Sequence, residues 1–551
     1  MTLLPNNLTN YPYPSSRPVI LGKKCAVATS QPLATLAGME MFNLGGNAVD
    51  AAIAMAITLT VVEPTSNGIG SDAFALVWDG NLHGLNASGK SPQNLTKRYF
   101  NKDKINPYGW QTVTVPGAVS AWRNIWERWG KLPFEQLFTP AIRYAESGFP
   151  VSPVTADAWR CAEGIYLSKS GKEFQTLKDV FFPGGRSPGV GEIWRSELHA
   201  KTLAEIAATG GESFYRGRLA QQISDFAAIS GGFLTPEDLA SHQAEWVQPI
   251  ATDYRGYNVW EIPPNTQGLA TLMGLNILEG FDLAKYPRES IDSYHLQIEA
   301  MKLAFADVHR YTSDPNYMEF SVDYLLDKSY AAMRRQLIGN MAIPLAQPGL
   351  PKGGTVYLAA ADNDLMVSFI QSNYMGFGSG VMIPGTGIAL QNRGAGFSLE
   401  KGHPNEFGPG KRPFHTIMPG FITKNGEALG PFGVMGGPMQ PQGHLQVIVN
   451  MVDYGMNPQA ALDAPRWQFI ADNRILLEPM VSQSVMMGLI EKGHDVAKIG
   501  DRDDLVKENL AASRPYGAQP GLFGRGQVIL RHHDILVAAS EPRSDGMALA
   551  W

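Results

Sequence analysis

Thr355 follows two glycines, Gly353-Gly354. A threonine hydroxyl is a weak nucleophile at neutral pH, but a free α-amine on the same residue can accept its proton. Such an amine exists only if the chain is cut just before it. The glycine pair allows the backbone geometry that attack of the hydroxyl on the preceding carbonyl needs. The runs TVYLAAAD and LMVSFIQSN read as two strands across an Asn363-Asp364 turn and would hold the new N-terminus on a rigid edge. The chemistry on offer is self-cleavage between Gly354 and Thr355, then attack on amides. By themselves these three residues also describe an ordinary passage from loop to strand, and they do not decide between the two.

Other short patterns promise different chemistry. Gly84-Leu-Asn-Ala-Ser-Gly-Lys-Ser91 matches a phosphate loop, with Lys90 for the phosphate oxygens and Ser91 for magnesium. Pro92 follows at once, no long helix pattern succeeds it, and no strand ending in aspartate offers a magnesium partner. Gly68–Ala73 resembles a dinucleotide fingerprint but comes after a helix and before a strand, the reverse of the required order. The 11 histidines and two cysteines, Cys25 and Cys161, form no metal-ligand pattern, so no metal is expected. A G-x-S-x-G elbow is absent from the sequence.

The elements that must position such chemistry can be read from periodicity. Pro32 onward and Ala48–Val62 read as two helices parted by Gly45-Gly46, with Asn47 capping the second and Glu63-Pro64 ending it. Two strands joined at Asp79-Gly80 follow. Residues 115–330 read as mostly helical, including a helix starting at or just before Ser293. Residues 336–354 are a proline- and glycine-rich linker, and QVILRHH and ILVAAS close the chain as strands. Strands at both ends with helices between suggest a mixed helix-and-sheet layered fold. With 551 residues, 44% hydrophobic and 17% charged, the chain can bury a large core; a net charge of -6 without a basic run argues against nucleic acid or an anionic membrane as partner. The polar, proline-broken start has no signal-peptide pattern, and Ala51–Val62 is too short to span a bilayer, so a cytoplasmic location is expected.

The runs GGNAVDAAIAMAITLTVVEPTSNGIGSDAF, TVTVPGAVSAW, PPNTQGLATLMGLNILE, EAMKLAFADVHRY, GGTVYLAAAD, SNYMGFGSG, KRPFHTIMPG, GVMGGPMQPQGHLQVIVNMVDYGMNPQAALDAPRW and EPRSDGMALAW, in order from about residue 25 to the end, closely resemble the γ-glutamyltransferase family. That resemblance implies an N-terminal-nucleophile hydrolase of α+β class with a four-layer αββα sandwich. It implies a precursor cut between Gly354 and Thr355 into segments 1–354 and 355–551, which together form one catalytic domain as a heterodimer, with room for a higher homo-oligomer. It implies an acyl-enzyme on Thr355, resolved by water or an acceptor amine, with a small-molecule amide as substrate and no cofactor. Gly436-Gly437 matches the family's oxyanion-hole glycines, and Ser372 and Asn373 match, within one residue, its hydroxyl partner and orienting amide.

The substrate pocket departs from the family. The carboxylate-binding arginine position is Ser88, the glutamine position is Arg393, the ammonium-binding aspartate position is Gly396, and the serine pair is His415-Thr416. A guanidinium grips carboxylates well, and an unpaired buried ammonium is costly. The expected acyl group therefore bears a carboxylate and no α-amine, as in glutaryl or oxamate amides, and the subfamilies resembled include cephalosporin acylases and oxamate amidohydrolases. Classical γ-glutamyl transfer, a nucleotide-dependent role through Gly84–Ser91, and an inactive relative stay open as alternatives.

Overall fold

The computed structural model describes residues 17–100, 105–344, 354–498 and 522–551. Residues 345–353 of the linker, including Gly353, lie outside the described residues. Two seven-stranded antiparallel sheets organise the chain. The first runs Met547–Ala550, Cys25–Thr29, Gly354–Asp362, Met366–Tyr374, Asp72–Trp78, Leu82–Asn86, Glu245–Val247. The second runs Ile20–Gly22, Ile535–Ser540, Arg525–His532, Glu427–Met435, Gly420–Lys424, Tyr257–Glu261, Ile250–Tyr254. Both sheets mix strands from before and after Thr355.

Period-two alternation sorts the side chains. Phe74, Leu76, Tyr357, Ala359 and Ile370 of the first sheet share one buried cluster with Phe421, Met435, Ile529 and Ala538 of the second. The alternate residues Val27, Ala75, Leu358, Ala360 and Val367 pack with the helix Ala48–Val62 and its neighbours. On the second sheet Val259, Ile422, Val434 and Val528 pack with the helices Gly268–Leu278, Ile291–Tyr311 and Met439–Val452.

The helix Ala48–Val62 forms as its sequence dictates. Asn47 Oδ1 accepts from Val49 N and Asp50 N, and Asp50 Oδ2 accepts from Asn47 N at 2.9 Å. This closes a capping box, worth about 1 kcal/mol. Every residue of the helix is buried, and its alanines let it lie close to the strand Gly354–Asp362. The hairpins at Asp79-Gly80 and Asn363-Asp364 and the C-terminal pair form as expected. The middle is less purely helical than its periodicity suggests, since Glu245–Val247, Ile250–Tyr254 and Tyr257–Glu261 are strands. No described helix is long and apolar enough to cross a membrane.

The start of the linker is fastened to the helix Ile291–Tyr311. Glu299 Oε2 accepts from Ile343 N at 2.9 Å, and His295 Nε2 lies 2.9 Å from Gly339 O. Glu299, His295 and His494 offer ligand atoms within 4.8 Å of one another, a grouping the sequence spacing does not reveal. The Lys302 ammonium, 2.9 Å from Glu299 Oε1, opposes a cation there.

Candidate active site

Thr355 stands at a β-bulge. Gly354 pairs with Tyr374 and Val356 with Gln371, so Thr355 alone opposes both Ser372 and Asn373. Bulges re-aim side chains beside working sites. Thr355 is buried, and its Oγ1 donates to Ser372 Oγ at 3.2 Å. Ser372 Oγ also accepts from Tyr374 N at 2.8 Å and from Arg393 Nη2 at 3.4 Å. Gln371 points the other way, donating to Ala56 O at 2.8 Å and Asn67 Oδ1 at 2.6 Å. The one-residue ambiguity of the sequence thus falls on Ser372 as the hydroxyl facing Thr355. Asn373 Oδ1 accepts from Ser71 Oγ at 2.9 Å, and its buried Nδ2 has no hydrogen-bond partner among the described residues.

Arg393 opens a short turn, Arg393–Gly396, and is fully buried. Its Nη1 donates to Thr416 Oγ1 at 2.8 Å, its guanidinium carbon lies 4.1 Å from the centroid of the Tyr374 ring, and its Nε has no hydrogen-bond partner among the described residues. Burial pulls its pKa down to about 10, opposed by Tyr374 and Asp72, so it is charged at neutral pH. Tyr374 reaches this position with φ 77, a conformation that costs a non-glycine residue about 1 kcal/mol or more.

From Thr416 the network continues. Gln267 Nε2 donates to Thr416 O at 2.6 Å and to Gly437 O at 2.8 Å. Gly436 and Gly437, with φ 137 and 59, turn the chain from the strand Glu427–Met435 toward the helix Met439–Val452, whose N-terminus follows Pro438. Thr355, Ser372, Arg393, Thr416, Gln267 and Gly437 therefore form one hydrogen-bonded series. Helix N-termini and glycine amides favour developing negative charge.

The remaining expected pocket residues are placed differently. His415 Nε2 faces Asp72 Oδ2 at 3.1 Å and its Nδ1 faces Ile417 N at 3.4 Å, so both ring nitrogens have protein partners. Ser88 Oγ donates to Asn86 Oδ1 at 2.7 Å, and its carbonyl accepts from Arg412 Nε at 3.0 Å. A cation therefore does stand beside Ser88, paired bidentately with Glu245. At Gly396 a Cβ would lie 2.8 Å from Phe414 O, so this backbone excludes an aspartate there without a shift. The Gly84–Ser91 loop has no following helix; a Cβ on Gly89 would lie 1.6 Å from Val115 O, and Ser91 Oγ donates to Gly408 O. Its glycine serves close backbone packing and no phosphate cradle forms.

Sequence reasoning missed Asp72, Gln267, Tyr374 and Arg412. Asp72 and Gln267 stand in runs that carry the family resemblance, but only three-dimensional contact assigns them partners.

A deep, mixed helix-and-sheet fold with a buried threonine at the head of a central strand defines a class of candidate hydrolases. The chain belongs to the gamma-glutamyltranspeptidase family, whose model matches residues 34–551. It is 36% identical to the glutathione hydrolase-like YwrD proenzyme of Bacillus subtilis (strain 168), over 96% of this chain and 99% of that protein. It is 31% identical to the oxamate amidohydrolase proenzyme of Klebsiella pneumoniae subsp. pneumoniae, over 94% of this chain and 97% of that protein. The crystal structure of cephalosporin acylase from Bacillus halodurans superposes with a TM-score of 0.92 at 52% identity, covering 100% of this chain and 99% of that one.

Proposed function

We propose that the chain is an autoprocessing amidase that cuts itself between Gly354 and Thr355 and then uses Thr355 as an N-terminal nucleophile. The observation that carries this reading is the bulged Thr355, with its hydroxyl on Ser372 and Ser372 in turn on Arg393. The free α-amine takes the hydroxyl proton, Thr355 Oγ1 attacks the amide carbonyl, and the Gly436-Gly437 amides receive the oxyanion. The amine leaving group departs with a proton, and water or a second amine resolves the acyl-enzyme. Asn373 Nδ2, without a hydrogen-bond partner among the described residues, is the donor available to orient the freed Thr355.

The two facing sheets and their helices are read as the αββα sandwich of N-terminal-nucleophile hydrolases. Because both segments supply strands to both sheets, the cleaved halves 1–354 and 355–551 stay together as a heterodimer. Relatives named as proenzymes support this.

Arg393, with Thr416, grips a carboxylate on the acyl group, and among the described residues no free anion is offered to an α-ammonium. The substrate is accordingly a small amide of a dicarboxylate, of the glutaryl or oxamate kind, in keeping with the relatives named for acylase and oxamate amidohydrolase activity. Hydrolysis of γ-glutamyl anilide, glutaryl anilide and oxamate, each against Thr355→Ala, tests the reading. Preference for the γ-glutamyl compound rejects the pocket assignment, and activity in Thr355→Ala rejects the nucleophile.

A further inference from the structure

Asp72 begins the strand Asp72–Trp78 and pairs with Ser372 in the sheet. It belongs to the GIGSDAF run, whose glycine spacing resembles only a misplaced dinucleotide fingerprint. Its side chain is fully buried; Oδ2 accepts from His415 Nε2 at 3.1 Å and Oδ1 from Gly89 N at 3.3 Å. The Ile417 N–H directed at His415 Nδ1 places the ring proton on Nε2, toward Asp72. His415 itself is neutral, because burial, with help from the Arg393 charge, drives its pKa well below the usual value.

Arg393 makes no salt bridge among the described residues, and Asp72 is the carboxylate whose charge acts on it. Arg393 is in turn the strongest charge acting on Asp72, with Arg412 behind it, and the buried Tyr215 phenol is the further titratable group that senses Asp72. The Asp72 oxygens are engaged by His415 and Gly89, so they are not offered directly to a substrate ammonium.

Resting on the reading of Thr355 and Arg393 above, we propose that Asp72 is a specificity-positioning residue: hydrogen-bonded to neutral His415 and paired in the sheet with Ser372, which Arg393 contacts, it balances Arg393 in the free enzyme and takes up a proton when a substrate carboxylate binds that arginine.

Two carboxylates sharing one buried guanidinium repel, and the weaker claimant is protonated. Burial already lifts Asp72 to about 7. An arriving acyl carboxylate lifts it further. The sign follows: the complex favours protonated Asp72, so affinity for the anion is full below about pH 7, weakens as pH rises, and levels off above the value in the complex. A further rise of one pKa unit corresponds to about tenfold in affinity.

The test uses processed enzyme and glutarate as a competitive probe. In wild type the glutarate inhibition constant is expected to rise about tenfold between about pH 6.5 and pH 9, and in Asp72→Asn to stay flat. Calorimetry of glutarate binding to wild type near pH 7.5, in two buffers of different ionisation enthalpy, reads the proton uptake directly and does not depend on the variant folding. Absence of proton uptake, or a folded Asp72→Asn with the wild-type pH curve, overturns the proposal; a purely structural Asp72 would shift the constant equally at every pH. Glutarate that fails to bind wild type at any pH overturns this proposal and the carboxylate role of Arg393 together, while Thr355-dependent hydrolysis can still stand. Hydrolysis persisting in Thr355→Ala removes the nucleophile reading and leaves the glutarate result for Asp72 intact.

Discussion

Arg393 Nη1 donates to Thr416 Oγ1 at 2.8 Å while the Nε of the same buried guanidinium has no hydrogen-bond partner among the described residues. The equally buried Arg466 also leaves its Nε without a partner among the described residues, but its other nitrogens reach Glu541, Leu462, Phe523 and Gly524, whereas Arg393 meets no carboxylate or carbonyl among the described residues. Arg393 keeps bonding capacity in reserve. Charge-assisted hydrogen bonds contribute about 1.5–3 kcal/mol, so Arg393→Ala is expected to lower kcat/KM for glutaryl anilide about ten- to hundredfold. An anilide with an uncharged acyl chain should lose far less. Arg393→Lys keeps the charge but not the planar fork and should fall between. Steady-state kinetics on the two anilides check this, and equal losses on both would make Arg393 a structural residue.

In the proposed mechanism the contact between Thr355 Oγ1 and Ser372 Oγ serves self-cleavage and turnover alike, since the same hydroxyl attacks in both. Ser372→Ala is expected to slow each step about ten- to hundredfold, the effect of losing one well-placed hydrogen bond in a buried site. Thr355→Ser should retain both steps and Thr355→Ala neither. Intact mass followed over time reads processing as the loss of the 60.0 kDa chain. Normal processing in Ser372→Ala with slowed hydrolysis would separate two roles that are joined here.

Local signals made part of this legible in advance. Asn47, Asp79-Gly80 and Asn363-Asp364 mark an element boundary with their own side chains or turn preferences, and each boundary falls where they put it. The three strands between Glu245 and Glu261 escaped because short strands amid helical segments carry little periodicity of their own. Within the site, Thr355 and the glycine pair stand out by type and order. Asp72 and Gln267 do not, because their meaning lies in partners at positions 415, 416 and 437, contacts that no spacing along the chain encodes. The same limit hid the Arg412 guanidinium beside Ser88, so the loss of a cation at position 88 looked more complete than it is.

Gln267 joins Thr416 to the glycine turn by donating to both Thr416 O and Gly437 O. Gln267→Leu leaves two buried carbonyls without that donor, at a combined cost of about 2–4 kcal/mol. It should also loosen the Gly436-Gly437 amides and lower kcat more than it raises KM. Gln267→Glu sets a carboxylate against two carbonyl oxygens and should be worse on both counts. Urea unfolding and kcat measured together check this; full kcat in a destabilised Gln267→Leu would detach the glutamine from catalysis.

Acid stability offers a test away from the site. His199 is buried against Phe181 and Trp194, with ring centroids 5.6 and 5.5 Å away, and its Nδ1 lies 2.8 Å from Ser196 Oγ. Burial pushes its pKa down to about 3, against about 6.5 in the unfolded chain. The unfolded state therefore binds the proton first. The contribution of His199 is intact above about pH 6.5 and is lost as pH falls toward 3, by about 1.4 kcal/mol per pH unit. His242, His444 and His494 are depressed to about 3 in the same way, whereas Asp72, raised to about 7, works in the opposite sense between about pH 7 and 4. His199→Gln should therefore flatten the acid slope by one proton's worth without abolishing it. Urea unfolding of the Thr355→Ala precursor between about pH 6.5 and 4.5 measures this free of segment dissociation. An unchanged slope in His199→Gln would mean that the histidine is already protonated in the folded chain, or that its pocket admits water as the pH falls.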